Sequence, residues 1–218
     1  MKQATIDAIL QHKIIVIVRG VPREQLLPLA QALYAGGIRL MEITFDASGK
    51  TPDKEIAADI RLLCEQMGEN MLFGAGTVLK KSQVRLTKQA GGRFIISPDT
   101  NESVIRAASR AGLVSIPGAL TPTEVQTAFL AGADFVKLFP VTALGPDYVK
   151  AIKAPLSHVR LLAVGGVKED NLREYLRAGV CGFGVGGCLV DKTLLDAGDT
   201  AAITEKARQY TALLEQEK

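Results

Sequence analysis

The sequence predicts an α/β protein in which eight parallel strands close into a (β/α)8 barrel, the TIM-barrel architecture, as a single domain over residues 1–218. Three observations carry this expectation. Short β-branched or apolar runs recur through the whole chain, amphipathic helical stretches separate them, and the strand-to-strand spacing is roughly 20 to 25 residues, as parallel strands covered by helices require. A doubly wound open sheet is the alternative architecture. No linker, low-complexity tract or composition shift marks a second domain.

The candidate strands are, in order, "IIVIVR" (14–19), "IRLMEITF" (38–45), "MLFGAG" (71–76), "RFIISP" (93–98), "LVSIPG" (113–118), "FVKLFP" (135–140), "VRLLAVGG" (159–166) and "CGFGVGG" (181–187). Between them, "PREQLLPLAQALYAGG", "TNESVIRAASRAG", "TPTEVQTAFLAGA" and "KEDNLREYLRAGV" repeat apolar positions at intervals of three and four. Several end in Gly just before the next strand, as a helix C-cap does. Thr100 or Asn101, Thr121, and the stretch from Lys168 to Asp170 mark helix starts. "TAAITEKARQYTALLEQEK" reads as a terminal helix.

Composition narrows the functional classes. A net charge of +3 with scattered basic residues does not announce a nucleic-acid surface, though an anionic small molecule fits it. Trp is absent and aromatics make up 5%, so base-stacking platforms are poorly supplied. The apolar run near the start is too short for a secretory signal or a membrane span, and a cytoplasmic protein is expected. Cys64, Cys181 and Cys188 form no C-x-x-C pair, which argues against a disulfide framework or zinc. His12 and His158 lack partners at metal-ligand spacing and read as surface or helix-end residues, so no metal site is expected.

The chemistry-bearing residues fall at strand ends. In extended backbone Phe135, Lys137 and Phe139 share one face, which places an ammonium between two aromatic rings. Burial disfavours the charged lysine; lowering its pKa from about 10.4 towards about 7 costs roughly 4 to 5 kcal/mol and frees a nucleophilic amine. A lysine that snorkels to water or pairs with a carboxylate is the alternative for this residue alone. Arg19 closes the first strand, Glu42 and Thr44 lie at the end of the second, Thr77 follows the third and Ser97 the fourth. Barrels of this type collect their reacting groups at these C-terminal ends. A neutral Lys137 can attack a ketone, and Glu42 can move the protons that carbinolamine and imine formation require. A buried Glu42–Lys137 ion pair is the competing structural role. Arg19 can grip a carboxylate and Thr77 can add a hydroxyl.

The glycine pairs in "VGGVKED" and "GVGGCLVD" follow the seventh and eighth strands, where such barrels bind phosphate through closely approaching backbone amides. Tight corners alone would also use them. Gly182, Gly184 and Gly187 match G-x-G-x-x-G, but too little chain follows for a dinucleotide domain. "GKT" at 49–51 lacks the leading Gly of a phosphate-binding loop, because position 44 is Thr.

Taken together, "VIVRG", "MEITF", "FGAGTV", "IISPD", "IPGALTPTE", "DFVKLFP", "AVGGV" and "GVGG" resemble, in this order and spacing, the class I aldolases acting on 2-keto-3-deoxy-6-phosphogluconate (KDPG) and 4-hydroxy-2-oxoglutarate (KHG). The resemblance spans nearly the whole chain. It implies a cytoplasmic homotrimer in carbohydrate metabolism that uses no metal or cofactor and takes a small 2-keto acid substrate. It implies Lys137 as Schiff-base lysine and Glu42 as proton carrier, with Arg19 and Thr77 on the pyruvoyl carboxylate. Pro98 and Phe139 would line the pocket, and Gly165, Gly166, Gly187 and Cys188 would meet phosphate. The implied reaction cleaves KDPG to pyruvate and glyceraldehyde 3-phosphate, or KHG to pyruvate and glyoxylate, with 2-keto-3-deoxy-6-phosphogalactonate as a further substrate.

Three positions depart from the family pattern. Asp46, in "FDASGKTPD", stands where an arginine often helps hold the sugar portion. Val164 replaces a usual threonine and Cys188 a usual serine, each removing a hydroxyl. Two other functions suit the same strand-end residues: a phosphosugar isomerase or epimerase working without an imine, and a non-catalytic sensor of phosphorylated sugars.

Overall fold

The computed structural model describes residues 1–142 and 144–215. Before the first strand comes a helix that the strand-and-helix repeat does not require, α1 (Lys2–His12), which puts Ile6 and Ile9 into the same apolar cluster as Ile15, Leu40, Phe94 and Phe135. Those four residues point into the barrel, so α1 plugs its N-terminal end. Its apolar positions at 6 and 9 lie one helical turn apart and give one buried stripe.

The repeat then runs β1 (Ile14–Val18), α2 (Arg23–Ala35), β2 (Leu40–Thr44), α3 (Asp53–Met67), β3 (Leu72–Gly76), α4 (Lys81–Gln89), β4 (Phe94–Ile96), α5 (Glu102–Arg110), β5 (Val114–Ile116) and β6 (Gly118–Ala119). It continues with α6 (Pro122–Leu130), β7 (Val136–Leu138), α7 (Gly145–Lys153), β8 (Leu161–Val164), α8 (Leu172–Arg177), β9 (Gly182–Val185), α9 (Lys192–Asp196) and α10 (Thr200–Glu215). All eight expected strands are present. They appear as nine parallel segments in the order β5-β4-β3-β2-β1-β9-β8-β7-β6, because the fifth run is split at Pro117.

Pro117 lacks a backbone N–H and interrupts the ladder there. Val114–Ile116 pair with β4, while Gly118–Ala119 pair with β7. The ring is drawn together by the Phe135 and Lys137 amides, which donate to the carbonyls of Ser115 (3.3 Å) and Pro117 (2.8 Å). The barrel is therefore nearly closed, as the sequence leads one to expect.

Strand alternation sorts the two cores. Ile15, Leu40, Phe94, Ile96, Val114, Ile116, Phe135, Leu162 and Val164 fill the barrel, while Ile14, Val16, Met41, Ile43, Val136, Leu161 and Phe183 face the helices. Both sets are apolar, as in a parallel sheet covered on both faces. The small residues of β3 make room inside: a Cβ on Gly74 would lie 2.4 Å from the Phe94 ring. Each buried Ile, Leu or Phe contributes about 1.5–3 kcal/mol.

Local signals set the helix starts. The Asn101 side chain accepts from the Ser103 and Val104 amides, and Thr121 with Glu124 forms a capping box before Pro122. The next start lies slightly later than Lys168–Asp170, with Asn171 as the N-cap of α8. The outer ring closes where α10 packs on α2; a Cβ on Gly36 would lie 2.3 Å from Ala207 Cβ. Among the described residues no helix is long and apolar enough to cross a membrane.

Candidate active site

A cleft of about 380 Å³ opens at the C-terminal ends of the strands. Its wall includes Arg19 after β1, Glu42 from β2, Thr77 after β3, Pro98 after β4, and Lys137 with Phe139 at the end of β7. Gly165 and Gly166 after β8, and Gly187 and Cys188 after β9, complete it. The ten residues to which the family resemblance gives a site role thus share one cleft. A larger cavity of about 790 Å³, beside Arg61, Cys64, Glu69 and Arg93, contains none of them. The chemistry selects the smaller one.

Lys137 is 8% exposed, and its Nζ lies 4.4 Å from the centre of the Phe139 ring. Phe135, on the same strand face, is buried deeper in the barrel core, so the ammonium has an aromatic ring at its outer side and apolar packing below. Burial pulls the Lys137 pKa down, opposed by the Glu42 carboxylate and assisted by the Arg19 charge. Glu42 is 2% exposed, and burial pushes its carboxyl up to about 7 against the opposing pull of Lys137 and Arg19. Its Oε2 is buried without a hydrogen-bond partner among the described residues. A carboxyl poised near neutrality beside a depressed lysine can take and return a proton at physiological pH.

Arg19 is fixed on the cleft wall by a 3.1 Å hydrogen bond from Nη2 to the Thr77 hydroxyl. Thr77 has φ +53°, a left-handed conformation uncommon for a β-branched residue. At the other rim, Gly165 and Gly166 carry φ of +85° and +88°, which side chains rarely adopt. The Thr142 hydroxyl donates to the Gly165 carbonyl at 3.0 Å, and a Cβ on Gly166 would lie 2.5 Å from that hydroxyl oxygen.

Two strand-end residues do not reach the cleft. The Ser97 hydroxyl is buried and donates to the Val78 carbonyl at 2.7 Å, while Thr44 borders a separate depression beside Val18 and Asp59. The cleft also includes Ile17, Val164, Val167, Lys168, Gly184 and Gly186. Strand parity could have placed Ile17 there, since it alternates with Ile15 towards Arg19. Lys168 gave only a helix-start signal. Of the histidines, His12 ends α1, and exposed His158 meets the Phe129 ring edge-on at 4.7 Å. Among the described residues, no three His, Cys, Asp or Glu side chains gather as a metal site.

Residues 6–206 match the family described as KDPG and KHG aldolase. The chain belongs to this aldolase family. It is a carbon–carbon lyase of the class I type. The aldolase is 38% identical over 177 residues to the 2-dehydro-3-deoxy-6-phosphogalactonate aldolase of Escherichia coli (strain K12), covering 81% of this chain and 83% of the relative. It is 36% identical over 191 residues to the KHG/KDPG aldolase of the same organism, covering 85% and 84%. The KDPG aldolase of Legionella pneumophila, solved with pyruvate captured at low pH as a covalent carbinolamine intermediate, superposes with a TM-score of 0.83 at 30% identity over 93% of this chain and 96% of that one.

The departures from the family pattern also have places in the aldolase. Asp46 accepts from the Ser48 amide and hydroxyl at 2.8 and 2.7 Å and from the Thr51 amide at 2.9 Å, which lowers its pKa to about 2. It is a loop-capping residue outside the cleft lining. Cys188 borders the same depression as Tyr210 of α10, and burial, with the neighbouring thiol, raises the phenol pKa.

Proposed function

We propose that residues 1–218 work as one barrel unit that cleaves a 2-keto-3-deoxy-6-phospho sugar acid, the gluconate or galactonate form, to pyruvate and glyceraldehyde 3-phosphate, and 4-hydroxy-2-oxoglutarate to pyruvate and glyoxylate. The observation that carries this reading is the buried, mutually opposed Lys137–Glu42 pair in one cleft with Arg19. The relatives named for the galactonate and gluconate compounds support the substrate class.

In this mechanism neutral Lys137 attacks the C2 carbonyl of the substrate. Glu42 delivers the proton that lets the carbinolamine lose water as an iminium forms. Glu42, now a carboxylate, takes the proton of the C4 hydroxyl while the C3–C4 bond breaks; the bonding electrons flow into the iminium, leaving an enamine and a free aldehyde. Return of the proton to C3 regenerates the iminium, and one water hydrolyses it to pyruvate and free Lys137. Arg19 and Thr77 hold the carboxylate; Pro98 and Phe139 shape the pocket. Gly165, Gly166, Gly187 and Cys188 form the phosphate end.

The expected assembly is a cytoplasmic homotrimer acting in carbohydrate metabolism. The apolar exposure of Phe129 and Leu130, the latter 70% exposed, supports an interface with further copies. The decisive experiment is borohydride reduction in the presence of pyruvate, followed by peptide mapping. Irreversible labelling of Lys137 is expected. An active enzyme that stays unlabelled would defeat the imine mechanism, and activity surviving in Lys137→Ala would favour the isomerase or epimerase function instead.

A further inference from the structure

We infer that Lys168 supplies the positive charge of the phosphate grip and is a substrate-positioning residue of this cleft. The inference rests on the aldolase reading and deepens it.

Three cations line the cleft: Arg19, Lys137 and Lys168. Arg19 is bonded to Thr77 and acts electrostatically on both Glu42 and Lys137, so it belongs to the end where the imine forms. A six-carbon phospho acid carries its carboxylate on C1 and its phosphate on C6, and one arginine cannot hold both. Lys168 stands on the glycine rim, two residues beyond Gly166, and also borders the neighbouring depression formed with Cys188 and Tyr210.

The loop that presents Lys168 is held from both sides. Its amide donates to Asn171 Oδ1 at 2.9 Å, and Asn171 Nδ2 donates to the Gly166 carbonyl at 2.9 Å. The backbone is therefore bracketed while the side chain makes no ion pair among the described residues, although Glu169 and Asp170 border the same depression. The nearby Lys206 is already committed, at 2.8 Å from Asp191.

Other donors at this rim are few. Position 188 offers only a thiol, a weak donor. Position 164 is valine, and the Thr142 hydroxyl is spent on the Gly165 carbonyl. Backbone amides of the glycine loops can orient a phosphate, but only Lys168 on this rim brings a full opposite charge.

The test compares wild type, Lys168→Ala and Lys168→Arg. Lys168→Ala should raise KM for a phosphorylated 2-keto-3-deoxy acid about tenfold, equivalent to about 1.4 kcal/mol, with little change in kcat. KM for the unphosphorylated acid should stay unchanged, and Lys168→Arg should recover most of the loss. Inorganic phosphate should stabilise wild type against thermal unfolding more than Lys168→Ala. Equal KM changes for both acids, or equal stabilisation of both proteins by phosphate, would overturn the assignment. Borohydride trapping of pyruvate on Lys137 should be the same in all three proteins. Failure of wild type to trap pyruvate would count against the aldolase mechanism alone, and the phosphate measurement would still decide the role of Lys168.

Discussion

The Glu42 carboxylate occupies the space in which a side chain at position 76 would begin: a Cβ on Gly76 would lie 2.2 Å from Oε1 and 2.6 Å from Cδ of Glu42. Position 76 is thus fixed by where the neighbouring strand seats the Glu42 carboxylate, since β2 and β3 pair Thr44 with Gly76 and Glu42 with Gly74.

Gly76→Ala should displace Glu42 and lower kcat by about 100-fold or more, the scale of losing a positioned acid-base group. The loss should not add to that of Glu42→Ala. A double variant as active as Glu42→Ala alone would show that both act through one carboxylate, whereas additive losses would refute the coupling. Steady-state pyruvate release measures it.

The pH dependence of stability should carry the signature of Glu42. Its carboxyl titrates near 7 in the folded protein but at its ordinary 4.5 when unfolded. Between those values the folded chain keeps a proton that the unfolded chain has lost, so stability falls as pH rises through the window, by about 3 kcal/mol at about 1.36 per pH unit. Lys137, shifted downward, acts with the opposite sign on the alkaline side, adding stability as pH climbs from its folded pKa towards 10.5. Urea midpoints from about pH 5 to about pH 8 should fall in wild type and stay flatter in Glu42→Gln.

Lys137→Met should abolish pyruvate release and leave a stable barrel. The ammonium is disfavoured by burial, and without it Glu42 sits as a neutral acid below its raised pKa. At about pH 6 the variant should match or exceed wild-type stability by about 1–3 kcal/mol, as seen when buried ionic groups give way to well-packed apolar ones. A marked loss of stability would point to Lys137 as a structural ion-pair member.

Asp46→Ala should loosen the loop that its carboxylate holds through Ser48 and Thr51. Trypsin cleavage after Lys50 should speed up while kcat changes little. Limited proteolysis with N-terminal sequencing of the fragments reads this out, and a large fall in kcat with no new cleavage would instead place Asp46 in the catalytic path.

Much of the molecule was legible because strand and helix periods are short-range properties. "IIVIVR" and "DFVKLFP" name their own strands, and an arginine or lysine ending such a run is unusual enough to see at once. Thr121 with Glu124 names its own helix start. What a period cannot show is contact between distant segments. The stripe at Ile6 and Ile9 reveals a helix face but not that it plugs the barrel, and Pro117 marks a break without saying that the ring closes across it. Ser97 and Thr44 sat at strand ends like Glu42, yet turned away from the cleft because a neighbouring carbonyl or a second depression received them.

The sequence by itself determined the repeated strand-and-helix order, the two apolar faces of each strand and the residue types available for imine chemistry, since all three follow from alternation and side-chain identity along a local stretch. Only the tertiary structure decided that burial in the cleft would lower the proton affinity of Lys137 and raise that of Glu42 against their mutual attraction, that Gly76 must stay bare to seat the carboxylate, and that the Lys168 side chain would make no ion pair among the described residues. Those outcomes depend on desolvation and close packing between strands far apart in sequence, and such quantities exist only once the barrel has closed.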